Sequence, residues 1–188
     1  MDALLPTFIS ALLAEVGDKT QMLAGLLALR YRRNGAVLAG IAVAALANGL
    51  IAAAGGRLVA DLVNFRAISL MVALALIAAG AGGLLRRRKP ALPGYGRLGA
   101  FATSAIAMFI LEFGDKTQFL TLTLAVRADS LWLAAIGGAA GILGAAIPAV
   151  ALGQRFETVL PLAALRLGIS LLFLLIGLVV AVAALGLV

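Results

Sequence analysis

Glu15-Val16-Gly17-Asp18-Lys19-Thr20-Gln21 occurs twice in this chain: Glu112-Phe113-Gly114-Asp115-Lys116-Thr117-Gln118 repeats it 97 residues further on. Across positions 15–23 and 112–120 seven of nine residues are identical, Leu23 against Leu120 included. Outside that window the two copies share mainly apolar character. Both lie inside long apolar runs, where a Glu, an Asp and a Lys within five residues are costly. On insertion scales each central charge costs roughly 2.5–3.5 kcal/mol, and each Leu, Ile, Phe or Val returns only about 0.3–0.6. The run from 4 to 29 holds eleven such residues, so a gain of ~5 kcal/mol faces a cost of ~8. Charges there must pair with one another and face a protein interior, which marks a functional site inside a membrane.

Composition agrees. With 64% hydrophobic residues, 12% charged residues and a mean hydropathy of +1.15, the 188 residues read as one all-α transmembrane domain. There is no Cys and no His, which excludes disulfides, thiolate or imidazole metal sites and His bases. Met1-Asp2-Ala3 lacks the basic start of a signal peptide, so the first apolar run is expected to stay as a span. The net charge of +7 belongs to loops at the lipid bilayer surface and not to a nucleic-acid partner.

Six spans are expected, at about 4–29, 35–56, 67–85, 98–126, 131–153 and 167–188. They divide into a first repeat (1–85), a Pro/Gly-containing linker (86–97) and a second repeat (98–188), with short connectors at 57–66 and 154–166. The loops at 30–34, 86–97 and 154–166 share a side and hold ten Lys/Arg against three on the other side. That bias puts the basic loops in the cytoplasm and both termini outside. Three spans per half is an odd number, so the second half enters from the opposite side. Glu15 lies about eleven residues in from one face and Glu112 about fourteen from the other, so both come near the midplane of a ~30 Å core. Two inverted three-helix repeats presenting matching polar segments at mid-membrane is a secondary-transporter architecture.

The motif also has chemistry of its own. Glu15 and Asp18 are spaced i, i+3, so their carboxylates are expected to share a helix face, and likewise Glu112 and Asp115. Gly17 and Gly114 allow either a close helix approach or an opened turn. Four carboxylates with Thr20, Gln21, Thr117 and Gln118 as possible additional ligands form an all-oxygen set suited to Mn²⁺, Ca²⁺ or Mg²⁺. Crowded buried carboxylates can hold protons when no cation is present. Lys19 and Lys116, at i+4 from the glutamates, are candidate counter-ions for them in the empty state.

Two copies of E-x-G-D-[KR]-[ST] in a small six-span protein resemble the Gdt-type family, which includes MneA-like bacterial manganese exporters and Golgi calcium/manganese transporters. The motif matches at Glu15, Gly17, Asp18, Lys19 and Thr20, and at Glu112, Gly114, Asp115, Lys116 and Thr117. The resemblance implies a non-enzymatic transporter that exports Mn²⁺ or Ca²⁺ against protons, with Glu15, Asp18, Glu112 and Asp115 as metal ligands and no cofactor. The linker resembles the bacterial kind and carries no acidic insertion, which implies a bacterial inner (plasma) membrane.

Blander readings stand beside these. One of them makes the motif acids and lysines only an ionic staple, but buried ion pairs are weak evidence for stability. Asn48 is read as a helix-to-helix hydrogen bonder with no counterpart, since Ala145 stands at its equivalent position. Pro148 is expected to kink the fifth span, and Gly137, Gly138, Gly141 and Gly144 to form close-packing surfaces. Thr7, Ser10, Thr103 and Ser104 are expected to bond back to helix carbonyls, and Arg86–Lys89 to anchor topology. Two rival functions stand against transport. One is an intramembrane aspartyl protease using Asp18 and Asp115, disfavoured because adjacent lysines would hold ionised a pair that must share a proton. The other is a non-transporting assembly factor.

Overall fold

A computed structural model describes residues 3–85, 90–91 and 98–186, leaving the side chains of Gln154 and Glu157 undescribed. Arg86–Lys89 and Arg97 lie outside the described residues, and so do the two ends of the chain. The described residues are helical and contain no strand.

Among the described residues four helices are long and apolar enough to cross a membrane: α3 (Asn34–Ala60), α4 (Phe65–Leu84), α7 (Leu131–Leu152) and α9 (Leu162–Leu185). Their ends follow local chemistry. Asn64 caps α4 by accepting from the Ala67 N–H at 2.9 Å, and Ser130 stands at the N-cap of α7, both residue types that satisfy free N–H groups at helix starts. Gly186 closes α9 in the left-handed region at φ 71°. The expected spans at 35–56, 67–85 and 131–153 correspond to α3, α4 and α7. The last span departs from its expected start. A 3₁₀ turn (Gly153–Arg155) and the short α8 (Phe156–Val159) fill the front of the connector expected at 154–166, and α9 begins at Leu162. Arg166 therefore belongs to the helix, a turn inside it, and not to a loop. The physical signal is Pro161, which lacks an N–H and opens a helix readily.

The expected spans 4–29 and 98–126 are not single helices. The first divides into α1 (Leu4–Glu15) and α2 (Lys19–Tyr31), the second into α5 (Ala100–Glu112) and α6 (Lys116–Ala125). α1 and α5 have 12 and 13 residues, enough to reach little more than halfway through a ~30 Å apolar layer at 1.5 Å per residue. Both end at the motif glutamate.

Packing follows the sequence duplication. α1 lies on α7 and α5 on α3; α2 lies on α7 and α6 on α3; α3 and α7 pack on each other at the centre. A shift of 97 residues converts each contact into its partner. The centre is built from alanines such as Ala45, Ala52 and Ala53 on α3 and Ala134, Ala135 and Ala149 on α7, all nearly inaccessible. Small side chains let backbones approach, and in a membrane that close packing replaces the hydrophobic drive available in water. The α7 glycines serve this purpose as expected: a Cβ on Gly137 would strike the Leu4 carbonyl and one on Gly141 the Phe8 carbonyl, both on α1. α4 and α9 pair with each other at the periphery, and α9 turns Leu171, Leu175 and Leu178 outward.

A candidate cation site at two broken helices

Each break has the same local construction. Gly17 adopts φ +71° and Gly114 φ +76°, the left-handed region that costs other residues roughly 1–2 kcal/mol. The following aspartate is extended, at φ −87°, ψ 170° for Asp18 and φ −80°, ψ 168° for Asp115, and stands at the N-cap of the next helix. The Asp18 N–H donates to the Glu15 carbonyl at 3.1 Å, and the Asp115 N–H to the Glu112 carbonyl at 3.0 Å. Asp18 also accepts from the Lys19 N–H at 2.6 Å.

The glutamines lock these turns. Gln21 Oε1 accepts from the Gly17 N–H and Gln118 Oε1 from the Gly114 N–H, each at 2.7 Å, a reach-back from the third helical residue akin to a capping box. The Gln21 amide then donates across the interface to the Ala145 carbonyl at 2.6 Å. The Gln118 amide lies 3.4 Å from both the carbonyl and the side-chain oxygen of Asn48. Asn48 and Ala145 are thus equivalent after all, because a backbone carbonyl serves in both places. Asn48 also bonds helix to helix, donating to the Phe109 carbonyl at 3.2 Å. The side-chain oxygens of Gln21 and Gln118, two of the possible additional ligands, each accept one bond within their own turn.

The breaks change which groups meet. A continuous helix would set Lys19 beside Glu15 and Lys116 beside Glu112. With the helices broken, Lys19 Nζ faces Asp115 at 3.4 Å and Lys116 Nζ pairs with Asp18. Each lysine is paired with the aspartate of the opposite copy, which corrects the counter-ion pairing drawn from the i+4 spacing. Glu15, Glu112 and Asp115 bring one carboxylate oxygen each within 4.8 Å of one another. Asp18 stands outside that group. Thr20 and Thr117 both donate to Glu15, one to each of its oxygens. Among the described residues, neither oxygen of Glu112 has a hydrogen-bond partner, nor does Asp115 Oδ2. Glu15, Asp18 and Glu112 are each 1% exposed.

Buried carboxylate oxygens without donors are costly unless a cation or proton meets them. Glu112 and Asp115 carry such oxygens, and together with Glu15 they bring three carboxylates within reach of one hard ion, which fits an oxygen-coordinated divalent cation. The neighbouring polar residues are mostly structural: Thr7 Oγ1 donates to the Ala3 carbonyl at 2.7 Å and Thr103 Oγ1 to the Leu98 carbonyl at 3.2 Å, as expected for back-bonding. Ser104 departs from that expectation, since its buried hydroxyl has no partner among the described residues. The residue that sequence reasoning missed is Arg166, whose side chain packs against the Gly17 turn.

Helices that stop halfway, acids at the stops and apolar helices around them define a multi-pass membrane transporter of cations. A family model described as the divalent cation/proton antiporter GDT1 matches residues 3–90 and 100–186. The chain belongs to that family. It is also 35% identical over 182 residues to a Vibrio cholerae serotype O1 protein named "Putative manganese exporter", covering 96% of this chain and 91% of that one. No solved structure matches. The family and the relative are transporters, so neither the protease nor the assembly-factor reading is retained.

Proposed function

We propose that this protein exports Mn²⁺ and/or Ca²⁺ in exchange for protons, through one mid-membrane site that the two motifs build together. The observation that carries this reading is the convergence of Glu15, Glu112 and Asp115 within 4.8 Å, with both Glu112 oxygens lacking a partner among the described residues. Four motif carboxylates against two motif lysines leave a formal charge of −2, which one divalent cation balances. When the cation leaves, protons take its place, because like charges that close together in a low-dielectric interior are not left uncompensated. The family description supports protons as the counter-substrate, and the name of the Vibrio relative favours Mn²⁺.

In this reading α1–α2 and α5–α6 are two broken spans, which with α3, α4, α7 and α9 give six. The halves are inverted, both termini lie outside the bacterial inner membrane, and Glu15, Asp18, Glu112 and Asp115 serve the ion. Reporter fusions at Arg88 and Val188 test the arrangement: they should report opposite compartments, and a shared compartment overturns it.

The transport claim is tested in liposomes holding purified protein and a pH dye. Mn²⁺ or Ca²⁺ added to one side with no other gradient should drive protons the opposite way. Cation movement with no proton counter-flow at any pH from about 6 to 8 would mean uniport and end the exchange mechanism.

A further inference from the structure

The two motif turns are built alike but enclosed differently. On the first, a Cβ added to Gly17 would lie 3.1 Å from the Leu162 carbonyl and 3.3 Å from Arg166 Cβ, so the start of α9 rests on the turn. On the second, apart from its chain neighbours, none of the described residues lies within 4 Å of the same position on Gly114. Asp18 is buried and its partner Lys116 has 10% of its side chain exposed; Asp115 and Lys19 have 15% and 28% exposed. The space follows the same division. Asp18, Lys116 and Arg166 together line a gap of about 10 Å³, at the limit for a single water molecule. A cavity of about 490 Å³ runs alongside Lys19.

Arg166 has no equivalent in the other half. The residue 97 positions earlier is Ser69, which donates to the Phe65 carbonyl at 3.0 Å and accepts from Arg127 at 2.5 Å. A divalent cation approaching Asp18 past α9 would therefore meet a guanidinium next to the Lys116 ammonium, in a gap too small for its hydration shell.

We propose that Arg166 is a gating residue: it seals the first-motif side of the site by volume and by charge, and that side opens to the cation only when the start of α9 lifts off Gly17. This rests on the transport reading for its purpose, but the seal itself is testable without any transport. The chain contains no cysteine, so Ile169→Cys, on the wall of the same gap, gives a single reporter thiol. In the full-length protein reconstituted in liposomes, a cationic water-soluble thiol reagent applied to both faces should modify I169C slowly. Adding Arg166→Ala should speed modification at least tenfold, and Arg166→Lys should restore most of the protection. Arg166→Met, which keeps the stem and removes the charge, should give an intermediate rate, and it serves as the test if Arg166→Ala does not insert. Equal rates with Arg166, Ala and Met overturn the proposal, and so does fast modification with Arg166 intact. Cation flux in the same liposomes separates the two claims: wild-type protein that moves no cation defeats the transport reading, while the thiol rates still decide the seal.

Discussion

The Gly17 and Gly114 turns differ by little in backbone and by a great deal in surroundings. Both carry a glycine beyond φ +70° followed by an extended aspartate and a glutamine that folds back. Yet Glu15 receives both threonine hydroxyls, its own and the other copy's, while Glu112 receives none among the described residues. One carboxylate is held by hydroxyl donors and the other has none among the described residues. The difference teaches that a duplicated motif need not give duplicated roles, because two copies packed into one site compete for the same donors.

The largest test of this comparison is the acid series. Glu15→Gln and Glu112→Gln should each lower cation flux in liposomes by about 100-fold or more with insertion intact, since each removes a charged ligand from a shared site. Wild-type flux from either one would break the joint site. Asp115→Asn should follow closely, because Asp115 is in the convergent group. Asp18→Asn should lose less, since Asp18 lies outside that group and is bound to Lys116. If Asp18→Asn proved the more damaging of the two, the placement of the ion among Glu15, Glu112 and Asp115 would be wrong.

A smaller effect separates the turns by their enclosure. Gly114→Ala places a Cβ with none of the described residues beyond its chain neighbours within 4 Å and should cost the left-handed backbone penalty, about 1–2 kcal/mol. Gly17→Ala carries the same penalty and adds contacts at 3.1 and 3.3 Å to α9, so it should lower the melting temperature in detergent further than Gly114→Ala does. Equal losses would mean that α9 does not rest on Gly17.

Much of this protein was legible from the chain alone. Composition set the membrane class, the 97-residue duplication pointed to the candidate site, and continuous apolar runs gave α3, α4 and α7 within a few residues. These properties are local or additive, so a linear reading captures them. The identities of the acids, threonines and lysines were equally plain, because charges in an apolar run have few structural excuses.

Tertiary structure decided the pairings. The i+4 rule that put Lys19 on Glu15 holds only along an unbroken helix. Gly17 permitted a break without requiring one, and the break appears where the Gln21 amide can bridge from the turn to the Ala145 carbonyl, 124 positions along the chain. Ala145 gave no sign in the sequence because its contribution is a backbone group that every residue has. Arg166 stood near a connector and so resembled a loop charge, and its place against Gly17 depends on how α9 docks. Sequence spacing determined which groups the site could use; the crossing of the two halves determined which of them meet, because contact between residues a hundred positions apart is fixed by packing and not by periodicity.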